Sequence, residues 1–419
     1  MKFIHAADVH LDSLSTGLRK FYGTNPISIS EATQQAFTAL VDLALLEKVD
    51  FLLIAGDLFD SNWKDYSLGL FFIEEIKRLS CPIYYLRGNH DSENRLLKKL
   101  PFPEHLKEIP SKEPKTYLLD ELKVAIHGQS YSHYHTKEDL SESYPNSIDG
   151  YFNIGLLHTS GDVKLGTSPY APYKTDSLIK KGYDYWALGH LHDFQVLSKS
   201  PHIVYSGNVQ GRHIKETGQK GCCLVSSDDE GSVEVEFRPL SQIAWEKIEI
   251  NLSKVKTEDE LKNQLIAQLR ASFNSYFKSE MQVIVRFQFV GIAYLEKSLQ
   301  SDLAHYEHQI HCWLEEDFKG AVYLEKIENK TTPYRTIEML KEENPILDQL
   351  LESLNELILN EETEVYFQSL VSSLKEKAPI EYQKSSLFLN LEDPSRTPAL
   401  IYLDRIKGSL HEVMLEEQQ

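Results

Sequence analysis

Five short apolar runs in the first half of the chain each end in a cluster of aspartate, asparagine or histidine. The clusters are Asp8-Val9-His10, Gly56-Asp57-Leu58-Phe59-Asp60, Gly88-Asn89-His90-Asp91, Leu157-His158-Thr159 and Gly189-His190-Leu191-His192, and the runs before them include FLLIA, YYL, IGLL and WAL. A run of this kind reads as a buried strand of an α/β core. Sites in open α/β sheets lie beyond the carboxyl ends of the strands, where these residues fall. Five repetitions of one coincidence point to a single site drawn from distant stretches.

Around that core, the pattern alternates strand and helix up to about residue 253. Lys2 to Ala7, Phe51 to Ala55 and Ile83 to Leu86 read as strands; Ile29 to Glu47, with Ser30 as its N-cap, and Tyr66 to Leu79 read as helices. From Lys115 strands dominate, through TYLLD, LKVAIHG, FNIGLLH, YDYWALGH, HIVYSGN, GCCLVSS and SVEVEFRPL. A βαβ opening followed by paired strands predicts an α/β fold, with two sheets packed together and helices outside. Ser132 to Gly150 is polar and aperiodic, a long surface loop, and Pro169 to Lys174 is a second loop set between two of the clusters, where it could line a groove.

At 419 residues more than one domain is expected. A small α/β module follows at 254–335, with a helix over Glu258 to Phe273 and strands over Gln282 to Val290 and Ala321 to Ile327. Beyond Thr331-Thr332-Pro333 the chain turns helical and acidic, so 336–419 is a third region. Leu347, Leu350, Leu351, Leu354, Leu357 and Ile358 share one helix face there, and Leu403, Ile406, Leu410, Val413 and Met414 share another near the end.

The start, MKFIHAADVH, lacks the basic and apolar regions of a signal peptide, and no apolar stretch approaches the roughly 18 residues of a membrane span. A cytoplasmic protein with no membrane partner is expected. Cys81, Cys222, Cys223 and Cys312 form no CxxC and read as buried, reduced thiols. The net charge of −19 opposes a general DNA-coating role, but Asp302 to Glu417 hold 24 acidic and 11 basic side chains. The rest of the chain therefore carries only −6, before any bound cations are added.

The clusters suit hydrolysis of a phosphoester. Such a bond resists attack because its oxygens are negative and its leaving group is poor, and two divalent ions about 3.5–4 Å apart address both problems. Ions that close need a bridging anion, here Asp57. Asp8 and His10, two residues apart after a strand, face one ion, with His192 completing its set; Asn89, His158 and His190 take the other. Oxygen and imidazole donors without thiolate suit manganese, iron or zinc. His90, next to a ligand, projects toward substrate and can stabilise the phosphorus or protonate the leaving oxygen. Asp60 can hold the His90 ring, with Asp91 a weaker choice. Arg212 and His213, on a glycine-bounded turn, and Arg87, before the GNH turn, are candidates for contacts to substrate phosphate, with Lys98-Lys99 behind them. His127 reads as a packed or surface residue and His133 and His135 as solvated, while His202 has no evident partner.

With DxH, GDxxD, GNHD, a lone His and GHxH all present, the chain resembles the calcineurin-like metallophosphoesterase superfamily. Its opening FIHAADVHLD and GDLFD block look like the SbcD-type DNA repair exonucleases. The run Tyr205 to His213, continuing ETGQKG, looks most like their YhaO branch. The resemblance implies a four-layer αββα sandwich, seven metal ligands at the positions above, and a manganese-dependent nuclease of double-strand ends and single strands. It also implies a capping domain at the 254–335 module, an SbcC-like or YhaN-like coiled-coil ATPase partner, and in many members a homodimer. No GxxxxGK(S/T) occurs, so ATP hydrolysis would come from another polypeptide. The apolar stripe from Leu403 to Met414 suits partner docking or closure of the tail on itself. Three functions compete: a DNA nuclease, a hydrolase of a small phosphate ester or cyclic nucleotide, and a non-catalytic scaffold, which nothing in the intact motifs supports.

Overall fold

Residues 1–13, 26–61, 63–94, 96–162, 170–228 and 231–333, with isolated Gln349 and Ser369, are described by the computed structural model. Both apolar faces proposed for 336–419 lie outside them. In chain order the elements are β1 (Lys2–Ala6), α1 (Ile29–Glu47), β2 (Phe51–Ala55), α2 (Tyr66–Ile76), β3 (Ile83–Leu86), α3 (Asn89–Ser92), β4 (Leu106–Glu108), β5 (Lys115–Leu119), β6 (Val124–Gly128) and β7 (Phe152–His158). There follow α4 (Thr175–Lys180), β8 (Tyr185–Gly189), β9 (Gln195–Lys199), β10 (His202–Tyr205), β11 (Gly221–Ser227), β12 (Val233–Pro239) and β13 (Ile243–Asn251). The last are α5 (Glu258–Lys278), β14 (Gln282–Ala293), α6 (Glu296–Ser301), α7 (Leu303–Phe318) and β15 (Val322–Pro333).

One six-stranded sheet orders β12-β11-β1-β2-β3-β4 and a second orders β5-β6-β7-β8-β10-β9. Their inner faces share one core, in which Phe3, Phe51, Leu53 and Leu86 meet Ile126, Ile154, Leu156 and Ala187. Outside the first sheet, Phe37, Leu40 and Val41 of α1 and Phe72 and Ile76 of α2 pack on Ile4, Leu52, Ile54 and Tyr85. Outside the second, Leu178 of α4 joins Tyr144 and Tyr183 against Leu157, Trp186 and Ile203. Residues at alternate positions of one strand thus serve opposite layers, as the two-residue strand repeat requires. The layers run helix, sheet, sheet, helix, as expected.

Several details differ from the sequence expectation, which holds no β4, β9, β13 or α7 and puts a break at Thr331-Thr332-Pro333, where β15 continues. Helix α1 is capped by Ser28, whose extended backbone lets its hydroxyl accept from Glu31 N at 3.1 Å. Ser30 already sits inside the first turn. Helix α2 stops at Ile76, because the N–H groups of Arg78 and Leu79 turn to carbonyls three residues back. The Ser132–Gly150 loop is tied to the second sheet by Tyr144, a buried residue whose hydroxyl donates to Leu156 O at 2.8 Å. Cys222 and Cys223 are buried in β11 as expected, whereas Cys312 is exposed on α7.

The chain divides into two compact units. The first holds Met1–Ile250, Lys262–Gln288 and Leu303–Glu328, so both six-stranded sheets and the site lie within it. There Ile284 and Tyr323 pack with Ile29 and Ala32 of α1 and with Trp245. The second unit includes Asn251–Leu261 and Phe289–Asp302, where Leu252 N donates to Val290 O at 2.9 Å. A three-stranded sheet orders β13-β14-β15.

Candidate metal centre

Parallel pairing of β1 with β2 and of β2 with β3 brings three motif-bearing strand ends side by side. Pairing of β7 with β8 does the same in the second sheet, setting His158 opposite Gly189. The first two loops then run together, with Asp8 N donating to Gly56 O (2.9 Å) and His10 N to Asp57 O (3.1 Å). Asp8, His10, Asp57 and His190 all have positive φ, at 49°, 47°, 51° and 100°. Each such backbone costs about 1–3 kcal/mol and persists where the surroundings over-determine it, typically at functional sites.

The motif glycines are explained by the same crowding. A Cβ on Gly56, itself at φ +98°, would lie 2.2 Å from His158 Nδ1. One on Gly88 would lie 2.1 Å from Asp57 Oδ1. Each glycine is the space in which a side chain from another motif sits.

Among the described residues three groups of candidate donors have their ligand atoms within 4.8 Å of one another. Two hold the expected ligands, Asp8, His10 and His192, and Asp57, His158 and His190, while His10, Asp60 and His90 make up the other. Asn89 joins the second group, its Oδ1 lying 3.0 Å from His158 Nε2 and 3.2 Å from His190 Nδ1. Asp57 is buried, accepts from His90 N through Oδ1 at 3.0 Å and has Oδ2 3.3 Å from His158 Nε2. All seven ligands expected from sequence are therefore brought together.

Whether cations fit is decided by two atoms. Asp8 Oδ1 and His10 Nε2 are buried with no hydrogen-bond partner. Orphaned polar atoms of this kind are costly unless something else satisfies them. Two oxygen-and-imidazole donor sets, free of thiolate, suit two divalent ions.

Charge in the protein alone is tuned the same way. Burial pushes the Asp8 carboxyl up to about 6 despite the pull of His158 and His192. Burial also acts to raise Asp57, yet His158 beside it holds Asp57 far below the usual carboxylate range. His158 is in turn lifted to about 9, because Asp57 outweighs the effect of burial. Burial lowers His10 to about 4, with Arg212 adding to it, and lowers His190 to about 3, with His158 adding to it. Neutral imidazoles are the form in which histidine binds metal, so His10 and His190 are already in that form, whereas His158 must give up a proton.

Behind the donors, one finding revises the expected geometry. Asp60 bonds the Nδ1 of His10 at 2.8 Å, while the Nδ1 of His90 is 3.6 Å away, beyond hydrogen-bond reach. Asp60 thus orients His10 rather than His90. Asp91 is buried and accepts from the backbone N–H groups of Leu58, Phe59 and Gly88, so it ties the second motif to the third.

Sequence reasoning missed Glu216. This buried carboxylate accepts from His192 Nδ1 at 2.7 Å and from Arg212 at 2.9 Å. Its only signal is a place four residues after Arg212 in a turn already singled out.

His90 is partly exposed at the wall of a cavity of about 940 Å³, which Asp12, Asp60, Asp65, Lys64, Arg212 and His213 also line. Arg212 faces that cavity although largely engaged with Glu216. Arg87 instead forms an ion pair with Glu108. The loop residues Tyr134 and Tyr170 turn out to flank the centre, their rings 5.5 Å from His90 and 5.1 Å from His190. His135 stacks on Tyr170, and His127 is buried between Thr116 and Asn153.

The calcineurin-like phosphoesterase domain matches residues 1–194, and the middle domain of metallophosphoesterase YhaO matches 245–332. The uncharacterized metallophosphoesterase YhaO of Bacillus subtilis (strain 168) is 35% identical over 300 residues, 70% of this chain and 72% of that protein. The chain belongs to the calcineurin-like metallophosphoesterase family. This metallophosphoesterase is also similar to the DNA double-strand break repair protein Mre11 of Methanopyrus kandleri, 26% identical over 63% of the chain and 62% of that protein. A component of the SbcCD nuclease of Staphylococcus saprophyticus is 24% identical over 58% of the chain and 70% of that protein. Family membership makes the metallophosphoesterase a phosphoester hydrolase, and the two donor groups fall inside the matched 1–194 segment. Among the described residues, no helix is long and apolar enough to cross a membrane.

Proposed function

We propose that this metallophosphoesterase is a DNA nuclease that uses two divalent ions, Mn2+ by preference, to hydrolyse phosphodiester bonds at double-strand ends and in single strands. The observation that carries the hydrolytic part is the pair of donor groups, one of them holding the buried Asp57, with His90 at the open edge. The names of the Mre11 and SbcCD relatives support DNA as substrate.

Asp8, His10, His192 and Asp57 would hold one ion, and Asp57, Asn89, His158 and His190 the other. When bound, such ions neutralise phosphoryl oxygens and make water a better nucleophile. His90 contributes a proton to the leaving oxygen or a hydrogen bond to the phosphoryl group. Asp60 and Glu216 hold His10 and His192 with their Nε2 atoms toward the centre. Arg212 offers positive charge, and His213 a hydrogen bond, to a backbone phosphate entering the cavity. Arg87, paired with Glu108, is the weakest of the three proposed contacts.

The 254–335 module would act as the cap, and 336–419 would bind an SbcC-like or YhaN-like ATPase in a homodimeric, cytoplasmic assembly. One observation favours the second function, hydrolysis of a small phosphate ester. Asp12, Asp60 and Asp65 line the cavity and repel a polyanion. The test offers the full chain with Mn2+ linear duplex DNA and, in parallel, a chromogenic phosphodiester, with and without the ATPase. Cleavage of DNA is expected. Hydrolysis of the small ester, with DNA intact in every arm, would overturn the nuclease function.

A further inference from the structure

The two halves of the centre are built differently. In the half formed by Asp8, His10 and His192, each imidazole is backed by a carboxylate, Asp60 at 2.8 Å and Glu216 at 2.7 Å. In the half formed by Asn89, His158 and His190, His158 Nδ1 is backed by the neutral carbonyl of Ala55 at 2.9 Å. His190 Nδ1 lies 3.2 Å from Asn89 Oδ1, a fellow ligand. Asp57 lies with this second half, its Oδ2 3.3 Å from His158 Nε2, and that pairing offsets its charge. The first half then carries the charges of Asp8, Asp60 and Glu216, offset by Arg212, whereas the second carries that of Asp57 alone.

Their readiness differs as well. The donors Asp8 Oδ1 and His10 Nε2 are buried and unpartnered, so an ion gains their full interaction. In the second half Asn89 Oδ1 and His158 Nε2 lie 3.0 Å apart and satisfy one another, and an ion must first separate them. Charge and pre-organisation act in the same direction.

We infer that the two half-sites fill in order, the Asp8–His10–His192 half first, and that Glu216 is a positioning residue that sets this half's affinity through His192. The inference rests on the two-ion function proposed above. Glu216 touches neither ion nor substrate. It fixes the imidazole's tautomer with Nδ1–H donating, leaving Nε2 to face Asp8, and raises the ring's basicity by its charge.

The test is calorimetry of Mn2+ binding to the full chain after chelator stripping, read beside the electron paramagnetic resonance spectrum. Wild type should show two events at least about tenfold apart. One equivalent should give an isolated-ion spectrum and the second an exchange-coupled pair. Asn89→Ala should remove the weaker event and leave the tighter. Glu216→Gln keeps a hydrogen-bond acceptor and loses the charge, so it should weaken the tighter event by about 10–100-fold and shift the other by less than about threefold. On a His192→Ala background Glu216→Gln should add less than about threefold, a non-additivity that a packing role would not produce. Asp60→Asn tests the same effect through His10 if the Glu216 variant does not fold. Two events of equal affinity in wild type, or Glu216→Gln and Asn89→Ala weakening the same event, would overturn the inference and leave the two-ion function standing. Absence of any Mn2+ uptake would overturn both.

Discussion

At Gly88 packing and chemistry meet in a single atom. Its backbone is extended, at φ −83°, so alanine meets no conformational obstacle there. Only the added Cβ matters, at 2.1 Å from Asp57 Oδ1 and 2.8 Å from His158 Cε1. Gly88→Ala should therefore lower hydrolysis by at least about 100-fold, reduce bound metal and cost about 1–3 kcal/mol in thermal unfolding, because buried Asp57 and His158 must give way. Unchanged metal content would show that Asp57 is free to move. His90→Ala should behave in the opposite way, keeping its metal while turnover falls by about 10²–10⁴-fold. Wild-type rates would remove His90 from the chemistry. The residues of this centre were legible because their types are chemically narrow and each follows a strand. Glu216 was not, because a carboxylate in a long turn matches no spacing until folding sets it on His192. Asp60 was legible as an orienting group but not by its partner, since residue order does not tell which of two nearby imidazoles a carboxylate will reach.

Strand ends position the site, so what holds the two sheets in register matters at the level of elements. His5 on β1 crosses the sandwich to β8, its Nε2 donating to Leu188 O at 3.1 Å and its Nδ1 accepting from Tyr185 Oη at 3.0 Å. Burial lowers its pKa from 6.5 to about 3. The native state thus holds His5 neutral where the unfolded chain would protonate it. Its contribution is present in full above about pH 6.5 and is lost as pH falls toward 3. Thermal unfolding should record that decline, and His5→Gln should flatten it over the same range. An unaltered slope in the variant would assign the acid sensitivity elsewhere. Strands such as FLLIA and WAL were readable because burial on both faces leaves a continuous apolar run. Three-residue β4 and the exposed edge strand β9 were missed, because neither buries enough side chain to print a pattern; β13 and α7 were missed too, although both bury apolar residues. The Ser28 cap was misplaced by two residues, within the ambiguity of adjacent serines at a helix start.

At the scale of the molecule, the two-sheet core follows from the order of elements, because parallel strands need crossovers and their helices must cover the outer faces. Tyr134 and Tyr170 show where sequence order runs out. The loop of Tyr170 was readable as groove-lining from its place between two clusters, but Tyr134 lies in a polar, aperiodic loop that only the folded chain sets beside His90. Substrate choice depends on such loops and on the mixed charge of the cavity, so it is less legible than the hydrolytic centre. That centre is the central claim, and direct counting of its ions tests it most plainly. The full chain, stripped with chelator, reloaded with Mn2+ and freed of excess, should retain two ions by elemental analysis, and Asp57→Ala should lose both because one carboxylate serves the pair. Retention of one ion or none by wild type, or of two by Asp57→Ala, would contradict the account.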